Sequence, residues 1–296
     1  TEMDNDFFDF LVENNLSITT SLDGPKELHN KNRLYVNKDG GPYDQVVYWI
    51  KRFKKKGIRI GMLMVTTRYS LPYWKEIIDL YVSFGQDSIQ IKPLDYLGYA
   101  VLQWDKIGYS IQEFNQFWKK SVDYMLELNK KGIMIVERYF NLVLKKALYS
   151  FDPNYYDLAS PCGLIRGQIV YNYNGDIYPC DESRILDKLV IGNVYSDTYE
   201  SVVTSKKALR LIESSINDNY YCDSCVYKPF CGVCPVITYA QKENFKIKLN
   251  KTDRCERLRF LFDYTFDKLI NNTEEIKRLI LGKIIKNKMR KVFKDN

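Results

Sequence analysis

The stretch CDSCVYKPFCGVCP, residues 222–235, is the part of the sequence that decides the fold. Cys222 and Cys225 form one pair with two residues between them, and Cys231 and Cys234 form a second such pair. Two intervening residues let both thiolates of a pair reach one metal centre from a tight turn. The stretch therefore predicts a domain that is organised around metal.

Three further cysteines flank this stretch, and together the seven suggest two metal centres. Cys162 and Cys180 precede it, with Gly175 between them, Cys255 follows it, and no cysteine comes before residue 162. An odd, clustered set in a chain without a visible secretory signal argues against a disulfide framework and favours thiolate ligands. Seven thiolates are one short of filling two four-coordinate centres. Structural zinc is an alternative for the four central cysteines, because such pairs also build zinc knuckles.

Composition excludes several classes of function. With 45% apolar and 27% charged residues, the 296-residue chain is globular. It contains no run of eighteen apolar residues, so we expect no membrane span. The net charge of +7 is concentrated in residues 277–296, which leaves the rest near neutral and argues against nucleic-acid binding. A single histidine, His29, nearly excludes histidine-based nucleophilic catalysis, and we interpret it as a turn residue.

The first half of the chain alternates strand-like and helix-like segments. Strands are predicted at 16–22, 58–65 and 88–92, and helices at 46–56, from Ser70 as N-cap to 81, and at 110–132. This order is typical of parallel strands joined by crossover helices. We therefore expect an α/β fold over residues 1–155, part of a (β/α) barrel with its earlier units outside this chain. A cysteine-rich domain at 156–270, with a hairpin that turns on Asn174-Gly175, and a basic amphipathic tail helix at 271–296 would follow.

Three stretches resemble a known family. SLDGPKELHNKNR (21–33), YNYNGDIYPCDESRIL (171–186) and the central cysteine stretch are similar to radical SAM enzymes with a SPASM domain, which modify peptides and proteins. The resemblance covers residues 15 to 265 and is closest to the radical SAM maturases of His-Xaa-Ser peptide systems and their paired relatives. One departure is the spacing before Cys234, where the family usually has three residues and this chain has two.

The resemblance implies a partial radical SAM barrel followed by a SPASM domain with two auxiliary [4Fe-4S] clusters. It assigns Cys162, Cys180 and Cys234 to the first cluster, one thiolate short, so that a substrate thiol, water or another protein ligand would complete it. It assigns Cys222, Cys225, Cys231 and Cys255 to the second cluster.

The resemblance also implies roles for four other residues. Asp181 would take a proton from the substrate, and the alternative is a turn residue that accepts backbone hydrogen bonds. Ser21, Asp23 and Arg33 would lie near S-adenosylmethionine and the substrate, at strand ends where parallel barrels keep their sites. The alternative is a helix-capping aspartate and a surface arginine.

A second departure concerns the Cx3Cx2C motif, which binds the catalytic cluster in the family and has no counterpart here. We therefore expect a fragment of a longer enzyme that cannot cleave S-adenosylmethionine alone, since a third [4Fe-4S] cluster would need the missing segment. The expected partners are a precursor peptide or protein and, as a candidate, a second radical SAM maturase, and the expected location is the cytoplasm. The competing class is a cluster-less or zinc-stabilised scaffold that binds a peptide or a partner.

Overall fold

A computed structural model describes residues 3–36, 39–153, 155–215, 220–232, 234–244 and 252–279. The chain divides into two units. The first comprises Thr1–Leu94, Asp105–Asn141 and Tyr264–Asn296, and the second comprises Asp95–Trp104 and Leu142–Asp263. Two of the boundaries between the units, after Asn141 and after Asp263, fall inside helices. The expected domain boundaries after residues 155 and 270 stay predictions.

The secondary structure follows the alternation expected in the first half and becomes shorter and less regular in the second. The strands are β1 (Thr19–Ser21), β2 (Gly61–Val65), β3 (Ser88–Ile89), β4 (Ile91–Lys92), β5 (Val136–Glu137), β6 (Val170–Tyr171), β7 (Asp176–Tyr178) and β8 (Gly192–Asn193). The helices are α1 (Asn5–Glu13), α2 (Lys26–Asn32), α3 (Tyr43–Lys55), α4 (Trp74–Ser83), α5 (Tyr99–Leu102), α6 (Trp104–Ile107), α7 (Ile111–Lys130), α8 (Arg138–Leu148), α9 (Tyr199–Val203), α10 (Lys206–Ser215), α11 (Tyr220–Asp223), α12 (Pro235–Lys242) and α13 (Asp253–Asn271). Short 3-10 helices lie at Arg68–Tyr73, Tyr156–Leu158, Asp181–Ile185 and Asp187–Leu189.

Parallel strands form the sheets of the first unit, as the sequence predicts. β1, β2 and β4 pair in that order, and β3 pairs with β5. The predicted strand at 88–92 is divided at Gln90, because its first half pairs with β5 and its second half pairs with β2. Ser21 ends β1 opposite Leu63, which places the residues after it at the carboxyl end of the sheet.

Amphipathic helices supply the buried side of this unit. Phe53 of α3, Ile78 of α4 and Trp118 of α7 are almost fully buried, and each such burial contributes about 1.5–3 kcal/mol. The helix α7 begins as predicted at Ser110, whose backbone N–H donates to Glu113 Oε2 at 2.7 Å and whose hydroxyl accepts from the Glu113 N–H at 3.3 Å. This reciprocal pair satisfies donors that a helix start leaves free.

The predicted N-cap at Ser70 is wrong. Ser70 lies inside the 3-10 helix Arg68–Tyr73, which begins after Thr67, and α4 begins only at Trp74. The Thr67 N–H donates to Ser70 Oγ at 3.1 Å, so a local hydroxyl contact starts the turn three residues earlier than predicted. Pro72 lies near the end of the 3-10 segment, two residues before α4 begins.

The second unit is built on a small antiparallel sheet, β6–β7–β8. The predicted hairpin at Asn174-Gly175 joins β6 to β7, and Gly175 has φ of 86°, a conformation that glycine adopts without strain. Apolar side chains from this sheet and from α10 and α12, among them Ile177, Leu211 and Val236, form the core of the unit.

None of the helices in the described parts of the chain is long and apolar enough to cross a membrane. Residues 273–279 are helical. Most of the predicted basic tail, residues 280–296, lies outside the described residues.

Candidate metal centre

Three cysteines lie together at the hydrophobic core of the second unit. Cys180 is a member of that core, and Cys162 and Cys234 pack against it half-buried. Cys234 has both other thiols as electrostatic neighbours, and Cys180 has Cys162. The structure thus brings together the three cysteines that the resemblance assigns to the first cluster, and we call them the first set.

The local fold holds Cys180 firmly. Its extended backbone follows β7 and precedes the 3-10 helix Asp181–Ile185. The Cys180 N–H donates to Ser183 Oγ at 3.2 Å, and the Ser183 hydroxyl donates to the Cys180 carbonyl at 2.6 Å. Since Ser183 is itself buried, this pair of bonds fixes the backbone of Cys180 within the unit.

Cys222, Cys225, Cys231 and Cys255 form the second set. Cys231 has the other three thiols as electrostatic neighbours, Cys222 has Cys255 and Cys225, and Cys255 has Cys225. Tight turns produce the approach, because the Cys225 N–H donates to the Cys222 carbonyl at 3.1 Å.

Burial keeps Cys180, Cys231 and Cys234 protonated as free thiols. It raises the pKa of Cys180 and of Cys231 to about 11 and that of Cys234 to about 12, and neighbouring thiols act in the same direction. Desolvation disfavours the charged form, so each thiol needs a cation before it can lose its proton. Metal binding would provide that cation and release protons.

The donor chemistry fits iron–sulfur clusters. All seven cysteines are free thiols, and sulfur ligands select iron–sulfur clusters or zinc over hard cations. Within the described residues, no three histidine, cysteine or acidic side chains converge closely enough to hold one ion. Each set is therefore gathered but not closed, as is usual for sites that complete their geometry upon loading.

Arg254, which the sequence did not single out, lies among the cysteines. Its guanidinium donates to the Gly232 carbonyl from Nε at 3.2 Å and from Nη2 at 3.1 Å, and Nη2 also donates to the Asp157 carbonyl at 2.9 Å. It is an electrostatic neighbour of cysteines in both sets. The only sequence signal was its position beside Cys255.

Gly232 supports the same region. A Cβ at this position would collide with the backbone carbonyl of Ala159, so only glycine allows the two segments to approach. The segment of Ala159 leads to Cys162, and the segment of Gly232 leads to Cys234. This contact therefore brings the segments of two cysteines of the first set near each other.

Asp181 follows Cys180 but its side chain points into solvent. Its carboxylate is 68% exposed and forms an ion pair with Arg184 at 2.8 Å. An exposed carboxylate one residue from a buried thiol is accessible to an incoming molecule. Its role as a proton acceptor stays a prediction.

Asp23 and Arg33 lie together in the first unit, at the carboxyl end of β1. The buried Asp23 carboxylate accepts from Arg33 Nε at 2.7 Å and from Nη2 at 3.3 Å. It also accepts from the Val65 N–H at 3.1 Å and so ties the end of β1 to the end of β2. Ser21 is half-buried two residues before this cluster.

His29 lies inside α2 and not in a turn as the sequence suggested, and it supports the Asp23 loop as a neutral side chain. Its Nδ1 accepts from the Asp23 N–H at 3.1 Å. Burial lowers the pKa of His29, although the Asp23 carboxylate opposes the shift. The Tyr81 hydroxyl donates to the Leu22 carbonyl at 2.8 Å, which fixes the residue before Asp23.

Known proteins match both parts of the chain. Residues 162–226 match the SPASM family, described as an iron–sulfur cluster-binding domain. A cysteine-type anaerobic sulfatase-maturating enzyme of Clostridium perfringens (strain 13) is 28% identical over 287 residues, covering 94% of this chain and 73% of the relative. A serine-type anaerobic sulfatase-maturating enzyme of Bacteroides thetaiotaomicron is 24% identical over 220 residues, covering 70% of this chain and 51% of the relative.

Solved structures agree with these matches. Native anSMEcpe with bound AdoMet and Cp18Cys peptide superposes with a TM-score of 0.74 at 25% identity, covering 93% of this chain and 74% of that chain. Streptococcus suis SuiB bound to precursor peptide SuiA has a TM-score of 0.58 at 16% identity, covering 86% and 56%, and shows likeness of fold alone.

These comparisons confirm the expected fold class, an α/β partial barrel followed by a SPASM domain. They also confirm that the relatives are enzymes, maturases of the radical SAM class. They do not single out the maturases of His-Xaa-Ser systems, since the curated relatives named above mature sulfatases.

Proposed function

We propose that this chain is the substrate- and cluster-binding part of a radical SAM maturase that modifies a peptide or protein after its synthesis. The observation that carries the proposal is the division of seven free thiols into two separate sets. One metal of tetrahedral coordination would use four thiols, and a division into three and four suits two centres better.

The two sets would hold two auxiliary [4Fe-4S] clusters, which carry electrons one at a time when bound. Cys222, Cys225, Cys231 and Cys255 supply a full complement for the second. Cys162, Cys180 and Cys234 supply three ligands for the first and leave one position for a substrate or another protein group. Cys180, the buried thiol of the first set, is shielded from water.

A polypeptide substrate is the class that the relatives favour. Sulfatase maturation is modification of a protein, and the relative of known structure was solved with a peptide and AdoMet. We infer the same substrate class here, with S-adenosylmethionine bound near Ser21 at the carboxyl end of the first unit's strands. Asp181 is exposed and adjacent to a cluster ligand, which suits a group that accepts a substrate proton.

We extend the proposal to the subfamily, the partner protein and the cellular compartment. The resemblance of residues 21–33, 171–186 and 222–235 to the maturases of His-Xaa-Ser systems favours a ribosomal peptide as substrate, with a second maturase as partner. The cytoplasm is the compartment that keeps seven thiols reduced and available to metal.

Metal analysis tests the proposal directly. Protein purified and reconstituted without oxygen should hold about eight irons and eight sulfides per chain, as two [4Fe-4S] clusters require. Zinc in place of iron, in a colourless protein, would favour the scaffold alternative. About four irons would refute two centres.

Paired variants test the division of the ligands. Cys162→Ala and Cys225→Ala should remove different signals from the electron paramagnetic resonance spectrum of the reduced protein. Each variant serves as the control of the other, because both remove one thiol from the same unit. Loss of the same signal in both would contradict the assignment.

A further inference from the structure

Arg254 is a half-buried cation whose guanidinium donates to the carbonyl of Gly232, the residue that follows Cys231 and precedes Cys234 by two positions. It is an electrostatic neighbour of Cys162 and Cys234 in the first set and of Cys231 in the second. Two other basic side chains act within the second set alone in these contacts: Lys228 acts on Cys222, and Arg259 acts on Cys255.

The hydrogen bonds of Arg254 leave its charge available. The bonds described above run to two backbone carbonyls, those of Gly232 and Asp157, and neither acceptor carries a charge. The carboxylates of Asp157 and Asp95 are electrostatic neighbours and offset part of the charge. The planar fork is held in one orientation by three contacts, which a lysine could not reproduce.

We propose that Arg254 is a shared positioning residue for both auxiliary clusters and that its charge raises the reduction potentials of both. The proposal rests on the proposed function, because it needs two clusters to be bound. A thiolate-ligated cluster becomes more negative when it accepts an electron, so a nearby half-buried cation stabilises the reduced state. One guanidinium beside both sets acts on both potentials in the same direction.

The test compares three variants of the chain. Arg254→Met removes the charge and keeps a long side chain, and Arg254→Lys keeps the charge and loses the fork. Arg210→Met is the matched control, because Arg210 is exposed on α10 and is not an electrostatic neighbour of the cysteines described above. Each protein is reconstituted without oxygen, its iron and sulfide are measured, and each cluster is titrated by electron paramagnetic resonance.

We expect Arg254→Met to lower the midpoint potentials of both clusters. The fall should be at least tenfold in the ratio of reduced to oxidised cluster at a fixed potential, which is about 59 mV for a one-electron couple. The midpoint potentials of Arg254→Lys should fall by less than half as much, and those of Arg210→Met should equal those of the parent chain.

Three results would overturn the proposal: unchanged potentials in Arg254→Met, a shift in one cluster alone, or an equal shift in Arg254→Lys. If Arg254→Met binds no iron, Arg254→Lys decides. Retained iron and near-parental potentials in Arg254→Lys would support a role of the charge, and equal loss of iron would refute it. Failure of the parent chain to bind two clusters refutes the proposed function instead, and it is seen before any variant is made.

Discussion

Replacement of Asp23 by alanine tests whether this residue holds the fold or waits for a ligand. The Asp23 side chain is 2% exposed and accepts three hydrogen bonds, two from Arg33 and one from the Val65 N–H. Asp23→Ala leaves the Arg33 guanidinium without its carboxylate and the Val65 N–H without its acceptor. We therefore expect a clear loss of stability in a chain that holds no cofactor.

The size of the expected loss in the free energy of unfolding follows from the burial of Asp23 and Arg33. Removal of one member of a buried ion pair costs about 3–5 kcal/mol, but the Arg33 side chain is 35% exposed and water recovers part of that loss. A hydrogen bond to a charged group contributes about 1.5–3 kcal/mol. We expect Asp23→Ala to lower the free energy of unfolding by about 2–3 kcal/mol, and Asp23→Asn by less, since its carbonyl can still accept from Val65.

The assay is equilibrium unfolding in urea, followed by the fluorescence of the tryptophans. Asp44→Ala is the matched control, because Asp44 pairs with Lys26 at 2.6 Å but its side chain is 71% exposed. The control should change the free energy of unfolding by at most about 1 kcal/mol. If Asp23→Ala and Asp44→Ala unfold at the same urea concentration, the Asp23 carboxylate does not hold the strand ends together and our reasoning is refuted.

Three further predictions concern other sites. Burial raises the pKa of Glu137 to about 7 from an ordinary 4.5, so the folded state binds a proton that the unfolded state has lost. The free energy of unfolding should therefore fall by up to about 3 kcal/mol as the pH rises from 4.5 through 7. Glu137→Gln should flatten this pH dependence, measured by urea titrations. A slope unchanged in the variant would contradict this. Gly232→Ala should cost about 1–3 kcal/mol, measured by thermal unfolding, because its methyl group meets the Ala159 carbonyl; an unchanged melting temperature would show that the segment yields freely. Asp181→Asn should leave the urea midpoint and the iron content unchanged, since the Asp181–Arg184 pair is exposed; loss of iron would show that Asp181 supports the site and is not a free proton acceptor.

Spacing along the chain was enough to identify the cysteines as candidate metal ligands but not to assign each of them to one of the two sets. Cys231 and Cys234 are three positions apart, yet they belong to different sets. Cys234 begins α12 and packs on the core with Cys180, whereas Cys231 ends the turn that follows Tyr227. Only the resemblance to a family separated them in advance, because short spacing by itself favours a common metal.

The sequence did not indicate Arg254, because its proposed role depends on contacts that form only in the folded chain. Arg254 stands near Arg257 and Arg259 in a charged helix, and its composition gives no reason to prefer it. Contacts with Gly232 and Asp157, 22 and 97 residues away along the chain, distinguish it from its neighbours. The start predicted at Ser70 was wrong for a local reason, because Thr67 begins a 3-10 turn three residues earlier and the Thr67 N–H donates to the Ser70 hydroxyl.

The confinement of every cysteine to one unit has a consequence for the handling of this protein. Oxygen and peroxide attack thiols and convert them to sulfenic and higher acids, so such damage would strike the second unit and spare the cysteine-free first unit. A sample spoiled in this way would keep most of its helical circular dichroism, since α3, α4 and α7 all belong to the undamaged part. The quality of a sample has to be judged by titration of the sulfhydryl groups. The circular dichroism spectrum would not reveal a protein that can no longer bind iron.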